Sequence, residues 1–326
     1  MSATATRISR RSRPHPSSPE RKTRVPRTPA SLRPARERAF WPFLLPALVL
    51  YTALYIVPAL FGVWVSLYRW SGPGAEMTWR GAKNYTNLLQ NEAFQSSFWN
   101  TLVLALGGGG AVFGATFLAM MALRQLKGRA FIRSVVFLPM IISAIAIGAA
   151  IGFLLNPDGA VNDILKAFGM DGLPWLGSDL VFRCIIAGLV WSSTGFYIAL
   201  MMSAVDAIPP HLYEDAHLSG ATKWEQFRHI TLPLTWDVFS VAAVLWVVNS
   251  LKVFEIVLAF TTGGTPGNPP VEARTVAVQQ YISISGGNAV PELGEGAAMG
   301  VVVVLITVVL IVLIRRITRR DRVELS

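Results

Sequence analysis

Six runs of predominantly apolar residues constrain this chain more than any other feature, at 41–67, 101–123, 134–155, 184–205, 238–260 and 297–314. A helix of about 20 apolar residues crosses the hydrocarbon core of a bilayer. Pro46 and Pro58 fall in the first run, where neighbouring helices can re-satisfy the backbone groups that proline frees. The composition agrees: 52% hydrophobic and 15% charged, with a mean hydropathy of +0.47, where an ordinary soluble domain keeps about 25% charged residues. The fold class predicted is an all-α polytopic membrane protein with six transmembrane helices.

The net charge of +10 is unevenly placed. Residues 1–39 hold eleven Arg or Lys and two Glu, leaving 18 basic and 17 acidic residues in the rest. This segment is threaded with Pro and Ser and has little apolar surface to bury, so a disordered basic cytoplasmic tail is expected over 1–39, ahead of a transmembrane domain over 40–326. A basic segment abutting an apolar run reads as an anchor for anionic membrane lipid and a topology signal, and no nucleic-acid partner is expected. Arg124, Lys127, Arg129 and Arg133 crowd the second connection, and Arg315, Arg316, Arg319, Arg320 and Arg322 follow the sixth run. Both termini and the connection between runs two and three are therefore expected on the cytoplasmic side of the cell membrane. Cys184 is the only cysteine, so no internal disulfide can form.

Within the runs, Gly107 to Gly110 and Gly114 lack the strand and lysine of a phosphate-binding loop. Close helix packing through Gly110 and Gly114 is the expectation. Lys252 and Glu255 lie inside the fifth run, one turn beyond Asn249. A charge at that depth costs about 2.5–3.5 kcal/mol and usually faces a partner or a water-filled cavity. On a continuous helix the two can pair. Asn249, Lys252 and Glu255 thus either pack the span or line a solute pathway, and Trp191 and Tyr197 either stack on a solute or pack.

Residues 209–233, PPHLYEDAHLSGATKWEQFRHITLP, interrupt this apolar pattern. Pro209 and Pro210 suit the start of a helix over 211–219, and Gly220 suits its C-terminal cap. Thr222 and Glu225 have capping-box spacing, which predicts a second helix directing Trp224, Phe227 and Ile230 toward the membrane. A DNA-reading helix-turn-helix is disfavoured, since both ends join membrane spans and the second helix lacks a run of basic or amide side chains.

Residues 214–233 resemble the signature of the membrane subunits of binding-protein-dependent ABC importers: EAA, three residues, Gly, nine residues, Ile, any residue, Leu-Pro. The matching positions are Glu214, Asp215, Ala216, Gly220, Ile230, Leu232 and Pro233. Asp215 replaces the family's second-position Ala, and Ser219 stands where the carbohydrate branch has Asp. Leu45-Pro46, Pro58, Asn84-Tyr85, Asn100-Thr101, Phe137-Leu138-Pro139, Trp191 and Thr262-Gly263-Gly264 are similar to that maltose-type branch. The resemblance implies a cytoplasmic coupling helix between spans four and five that enters a cleft on a separate ATPase dimer. It also implies a second permease subunit, an extracytoplasmic solute-binding protein and a sugar or oligosaccharide as solute. A glycerophosphodiester or polyamine remains an alternative solute. A polytopic enzyme is the other class, but His15, His211, His217 and His229 all fall in the tail or the island, so no catalytic residue, cofactor or metal is expected.

Overall fold

The computed structural model describes residues 32–123, 126, 128–262, 268–287 and 289–318, with side chains from residue 40 onward except at 262. The basic residues from Arg7 to Arg27, together with Arg124, Lys127, Gly263, Gly264, Arg319, Arg320 and Arg322, lie outside the described residues. Two compact units are present, Met1–Val57 and Pro58–Ser326. In the first, helix α1 (Leu32–Tyr51) contains Pro42 and Pro46 and runs into a π turn, Thr52–Ile56. Tyr51 and Tyr55 stack at 5.4 Å between ring centroids.

Helix α2 (Val57–Val65) starts at the last residue of the first unit, and the second unit continues with a two-stranded antiparallel sheet, β1 (Tyr68–Arg69) and β2 (Thr78–Trp79), in the register Tyr68↔Trp79. Helices α3 (Lys83–Gln90), α4 (Glu92–Val103) and α5 (Gly109–Leu123) follow, the last two joined by a π turn at Leu104–Gly108. Next come α6 (Arg129–Ile141), α7 (Ala144–Leu154), α8 (Ala160–Ala167) and α9 (Val181–Asp206). The polar island supplies α10 (Pro210–Leu218), α11 (Lys223–Gln226) and α12 (Leu232–Leu234). The chain closes with α13 (Trp236–Ser250), α14 (Glu255–Thr262), α15 (Val276–Ser285) and α16 (Leu293–Thr318).

Among the described residues, four helical segments are long and apolar enough to cross a membrane: Phe40–Val65, Glu92–Leu123, Val181–Asp206 and Leu293–Thr318. Counting each of two bent pairs as one span raises the number to six. The third expected span is bent by 91° between α6 and α7. Pro139 sits in the last turn of α6, and the Ser143 hydroxyl caps α7 by accepting from Ala146 N at 3.2 Å, so stop and start signals lie four residues apart. The island helix and α13 are bent by 73°, just past Pro233. The expected unbroken helix over 238–260 is also interrupted: α13 ends at Ser250 and α14 starts at Glu255. Irregular backbone at membrane depth is tolerated where it is buried in protein or lines a cavity.

Two apolar cores lie on either side of these breaks. One gathers Val112, Met120, Tyr197, Met201, Met202, Phe227, Trp246 and Leu251, with Ile132 and Val136 against it. The other gathers Ile147, Val181, Ile185, Ile256, Val257 and Phe260, with Val253 against it. The third span passes from the first core to the second at residues 142–143, and the fifth does so at 251–253. Among the described residues, α9 alone carries both without interruption, from Val181 to Val205.

Glycines set the close contacts, but not the ones the sequence reading singled out. Nothing lies within 4 Å of a Cβ built on Gly110 or Gly114. Instead Gly108 and Gly109 receive the Trp246 ring, and Gly148 meets Ile256 O, where a Cβ would stand 2.6 Å away. A Cβ on Gly152 would collide with the Phe260 carbonyl, and one on Gly195 with that of Val136. Helices α7 and α14 therefore approach backbone to backbone, as do α6 and α9.

Candidate functional site

Two places on the second unit combine polar chemistry with defined geometry: the island at 209–233 and a cavity at the helix breaks. In the island, Pro210 occupies the first turn of α10. The helix ends in a Schellman arrangement, with Gly220 N donating to His217 O at 3.0 Å and Ala221 N to Ala216 O at 2.9 Å. Gly220 has φ +80°, a left-handed conformation that L side chains rarely adopt.

Thr222 and Glu225 form the expected capping box. Thr222 N donates to Glu225 Oε2 at 2.7 Å, and Glu225 N donates to Thr222 Oγ1 at 3.3 Å. The bonds from the Thr222 backbone and hydroxyl hold the Glu225 carboxyl below its ordinary pKa.

The Tyr213 and Thr231 hydroxyls hydrogen-bond at 2.9 Å with both residues buried, which ties α10 to the π turn Phe227–Thr231. Thr235 Oγ1 donates to Thr231 O at 2.8 Å and continues the link to the foot of α13. Just before the island, Asp206 accepts from Arg133 at 3.0 Å and pairs with Arg129 at 3.3 Å. Glu214 and Asp215 are exposed, Glu214 beside a cleft that His217, Thr222, Lys223 and Gln226 also line, and Ala216 is half-buried. Leu218 is 85% exposed, too high for a residue shielded by its own chain. Ile230, Leu232 and Pro233 are half-buried, and Leu232 packs on the first core. Phe227, expected to point toward the membrane, is buried in the first core, whereas Trp224, stacked on it at 5.7 Å, remains 56% exposed.

The cavity has a volume of about 330 Å³ and opens between the breaks of the third and fifth spans. Pro139, Ile142 and Ala144 line it from the first break, and Asn249, Ser250 and Val253 from the second. Helix α9 adds Ser192, Ser193, Phe196 and Tyr197. Trp246 forms part of the wall and is fixed there by its indole N–H, which donates to Ala105 O at 2.8 Å. Its ring meets that of Tyr197 edge-on at 5.8 Å. The side chains of Asn249 and Tyr197 both face this cavity. The wall is largely aliphatic, with aromatic, hydroxyl and amide side chains set into it, and none of its residues carries a formal charge.

Of the residues read as a solute pathway, Tyr197 and Asn249 come together at this cavity. Trp191 is 56% exposed and does not line it. Lys252 and Glu255 do not share a helix face, because the chain unwinds between them: Lys252 lies in the break and Glu255 opens α14. The ion pairs among the described residues are Arg129–Asp206, Arg133–Asp206 and Lys166–Asp163, so the pairing that a continuous helix would permit does not form. Glu255 instead stands in the first turn of α14, where a carboxylate complements the helix dipole. The sequence reading missed Ser192, Ser193, Trp246 and Ser250. The available signal was the hydroxyl and amide pairs Ser192-Ser193 and Asn249-Ser250 inside otherwise apolar runs. Among the described residues no group of His, Cys, Asp and Glu is placed to hold a metal.

Comparison with known proteins gives this geometry a family. Residues 111–323 match the family described as binding-protein-dependent transport system inner membrane component. The chain is 34% identical over 275 residues to a probable ABC transporter permease protein, YurN, of Bacillus subtilis, covering 82% of this chain and 91% of that one. It is 31% identical over 242 residues to the trehalose/maltose transport system permease protein MalF of Thermococcus litoralis, covering 73% and 81% of the two chains. The fold is similar to that in the crystal structure of a bacterial ABC transporter involved in the import of the acidic polysaccharide alginate, with a TM-score of 0.74 at 24% identity over 89% of this chain and 98% of that one. This chain therefore belongs to the family of inner-membrane components of binding-protein-dependent transport systems.

Proposed function

We propose that this chain is a membrane subunit of an ABC importer for a neutral sugar or oligosaccharide, with the cavity at the helix breaks as its part of the solute chamber. The observation that carries the choice of solute is the chamber wall: it is uncharged, with Trp246, Tyr197 and Phe196 beside Ser192, Ser193, Asn249 and Ser250 in an otherwise aliphatic lining. A neutral solute site combines apolar and aromatic surface with a few uncharged hydrogen-bonding groups in this way. A phosphodiester or polyamine would enter a site with no counter-charge, and an ion without a partner in a low-dielectric site costs several kcal/mol. Curated relatives in the same family carry maltose, lactose and diacetylchitobiose transport names, which supports the carbohydrate reading.

The island is the coupling element in this account. A separate ATPase dimer seats on α10, with Glu214 and Asp215 at its exposed surface and Ala216, Gly220, Ile230, Leu232 and Pro233 shaping the frame behind it. ATP hydrolysis belongs to that partner, and this chain carries no catalysis of its own. A second permease subunit completes the translocation path, and an extracytoplasmic binding protein delivers the solute to it. The island end is cytoplasmic: Arg129 and Arg133 pair with Asp206 there, and the Thr318 carbonyl, just past Arg315 and Arg316, accepts from Trp236 at 2.7 Å. Both termini then lie in the cytoplasm, with the basic tail at 1–39 against anionic lipid. Lys252 and Glu255 belong to the fifth-span break outside the chamber lining, and Trp191 belongs to the outer surface of span four.

Uptake into proteoliposomes holding the complete transporter tests the solute class. Neutral oligosaccharides are expected to support binding-protein-dependent uptake that Asn249→Ala weakens by about tenfold, the scale of one or two lost hydrogen bonds. Uptake of a charged phosphodiester or polyamine in preference to every neutral sugar would overturn the assignment.

A further inference from the structure

A buried hydroxyl holds the fifth-span break from the side of α15, where the Tyr281 ring also packs on Phe254. Thr275 is 0% exposed, and its Oγ1 donates to the Val253 carbonyl at 2.6 Å. Val253 lies in the unwound segment 251–254 and lines the cavity. The same Thr275 oxygen accepts from Val278 N at 3.4 Å, so this residue is also the N-cap of α15.

The segment around Thr275 is fastened on its other side to α4. Val276 N donates to Thr101 Oγ1 at 2.9 Å, and Asn100 Nδ2 donates to the carbonyls of Glu272 at 2.8 Å and Arg274 at 3.1 Å. One turn further along the same helical segment, Leu104 is itself a cavity residue. A chain of hydrogen bonds therefore runs from α4, through 272–276, to the backbone of the chamber wall. A hydroxyl in a fully buried place costs free energy unless it is bonded, so this one specifies a geometry where a valine of the same shape would merely fill space.

We infer that Thr275 is a positioning residue for translocation: its bond to Val253 sets the unwound segment 251–254, and with it the wall presented to the solute. This rests on the cavity being the solute chamber. The residue touches no solute itself and acts through Val253. Because Thr275 also starts α15, a displacement of the 272–276 connection moves the chamber wall with it.

Cys184 is the only cysteine, so Cys184→Ser gives a cysteine-free chain in which Val253→Cys reports on the break. In the assembled transporter, Thr275→Val is expected to change the rate at which a membrane-impermeant thiol reagent labels Val253→Cys by about fivefold, the equilibrium scale of one hydrogen bond. Thr275→Ser, which keeps the hydroxyl, restores the original rate. With Val253 intact, Thr275→Val shifts the solute concentration for half-maximal uptake by about the same factor, while ATP hydrolysis stimulated by the loaded binding protein persists. Should Thr275→Val fail to assemble, Thr101→Val removes the next bond of the chain and is read in the same way. Unchanged labelling, or changed labelling with unchanged uptake, overturns the inference. Failure of the chamber reading shows separately, as wild-type uptake by Asn249→Ala whatever the Thr275 variants do.

Discussion

Trp246 shows how much one side chain does in this fold. Its ring fills the hollow over Gly108 and Gly109, its N–H satisfies the Ala105 carbonyl, and its edge forms the chamber wall beside Tyr197. Trp246→Phe is expected to cost about 1–3 kcal/mol, from a lost hydrogen bond that leaves a buried carbonyl unpaired, and a thermal-unfolding shift of the purified subunit measures it. Tyr213→Phe removes the hydroxyl bond to Thr231 and is expected to lower coupling between ATP hydrolysis and uptake while sparing membrane insertion, since α10 keeps its caps. Glu225 gives a pH signature at the same scale. Its carboxyl is held below the ordinary value, so its contribution to starting α11 is fully present above the unfolded pKa, about 4.3, and is lost as pH falls through the depressed folded value. Thr222→Val should bring the Glu225 titration back up, as read by NMR on a labelled side chain.

Among the elements, those fixed by local chemistry were legible in the sequence and those fixed by distant contacts were not. Pro210, Gly220 and the Thr222–Glu225 box determine the island helices within a few residues, so spacing alone divided the island correctly. Apolar windows found the membrane-crossing material but merged α6 with α7 and α13 with α14, because hydropathy sums composition and does not see a break. Proline at 139 with serine at 143 marked the first break. At the second, Lys252 and Glu255 were the sign of an unwound segment and a new helix start, and not of an ion pair. Glycine packing was readable as a tendency only: which glycine meets a neighbour depends on helix register, and Gly148 and Gly152, not Gly110 and Gly114, face a partner within this chain. Accordingly, Gly152→Ala should destabilise the isolated subunit by about 1–3 kcal/mol by forcing α7 off α14. Gly110→Ala should be neutral or stabilising by up to about 1 kcal/mol, the helix-propensity gain, in the same thermal assay.

At the scale of the second unit, two cores meet at a chamber between the two breaks, and α9 runs through both cores without interruption. Helix α9 leads directly into the island, and the island leads through Tyr213, Thr231 and Thr235 to the foot of α13. Movement of α10 by a docked ATPase would therefore reach the chamber along α9 and α13, which supply most of its polar wall. The coupling role of the island is the claim on which this account turns. Substituting Glu214→Arg, at an exposed position of α10, tests it most directly through ATP-driven uptake in proteoliposomes holding the complete transporter. The account predicts a permease that still inserts in the membrane but neither retains the ATPase on co-purification nor takes up solute; wild-type uptake with the ATPase still bound would contradict it.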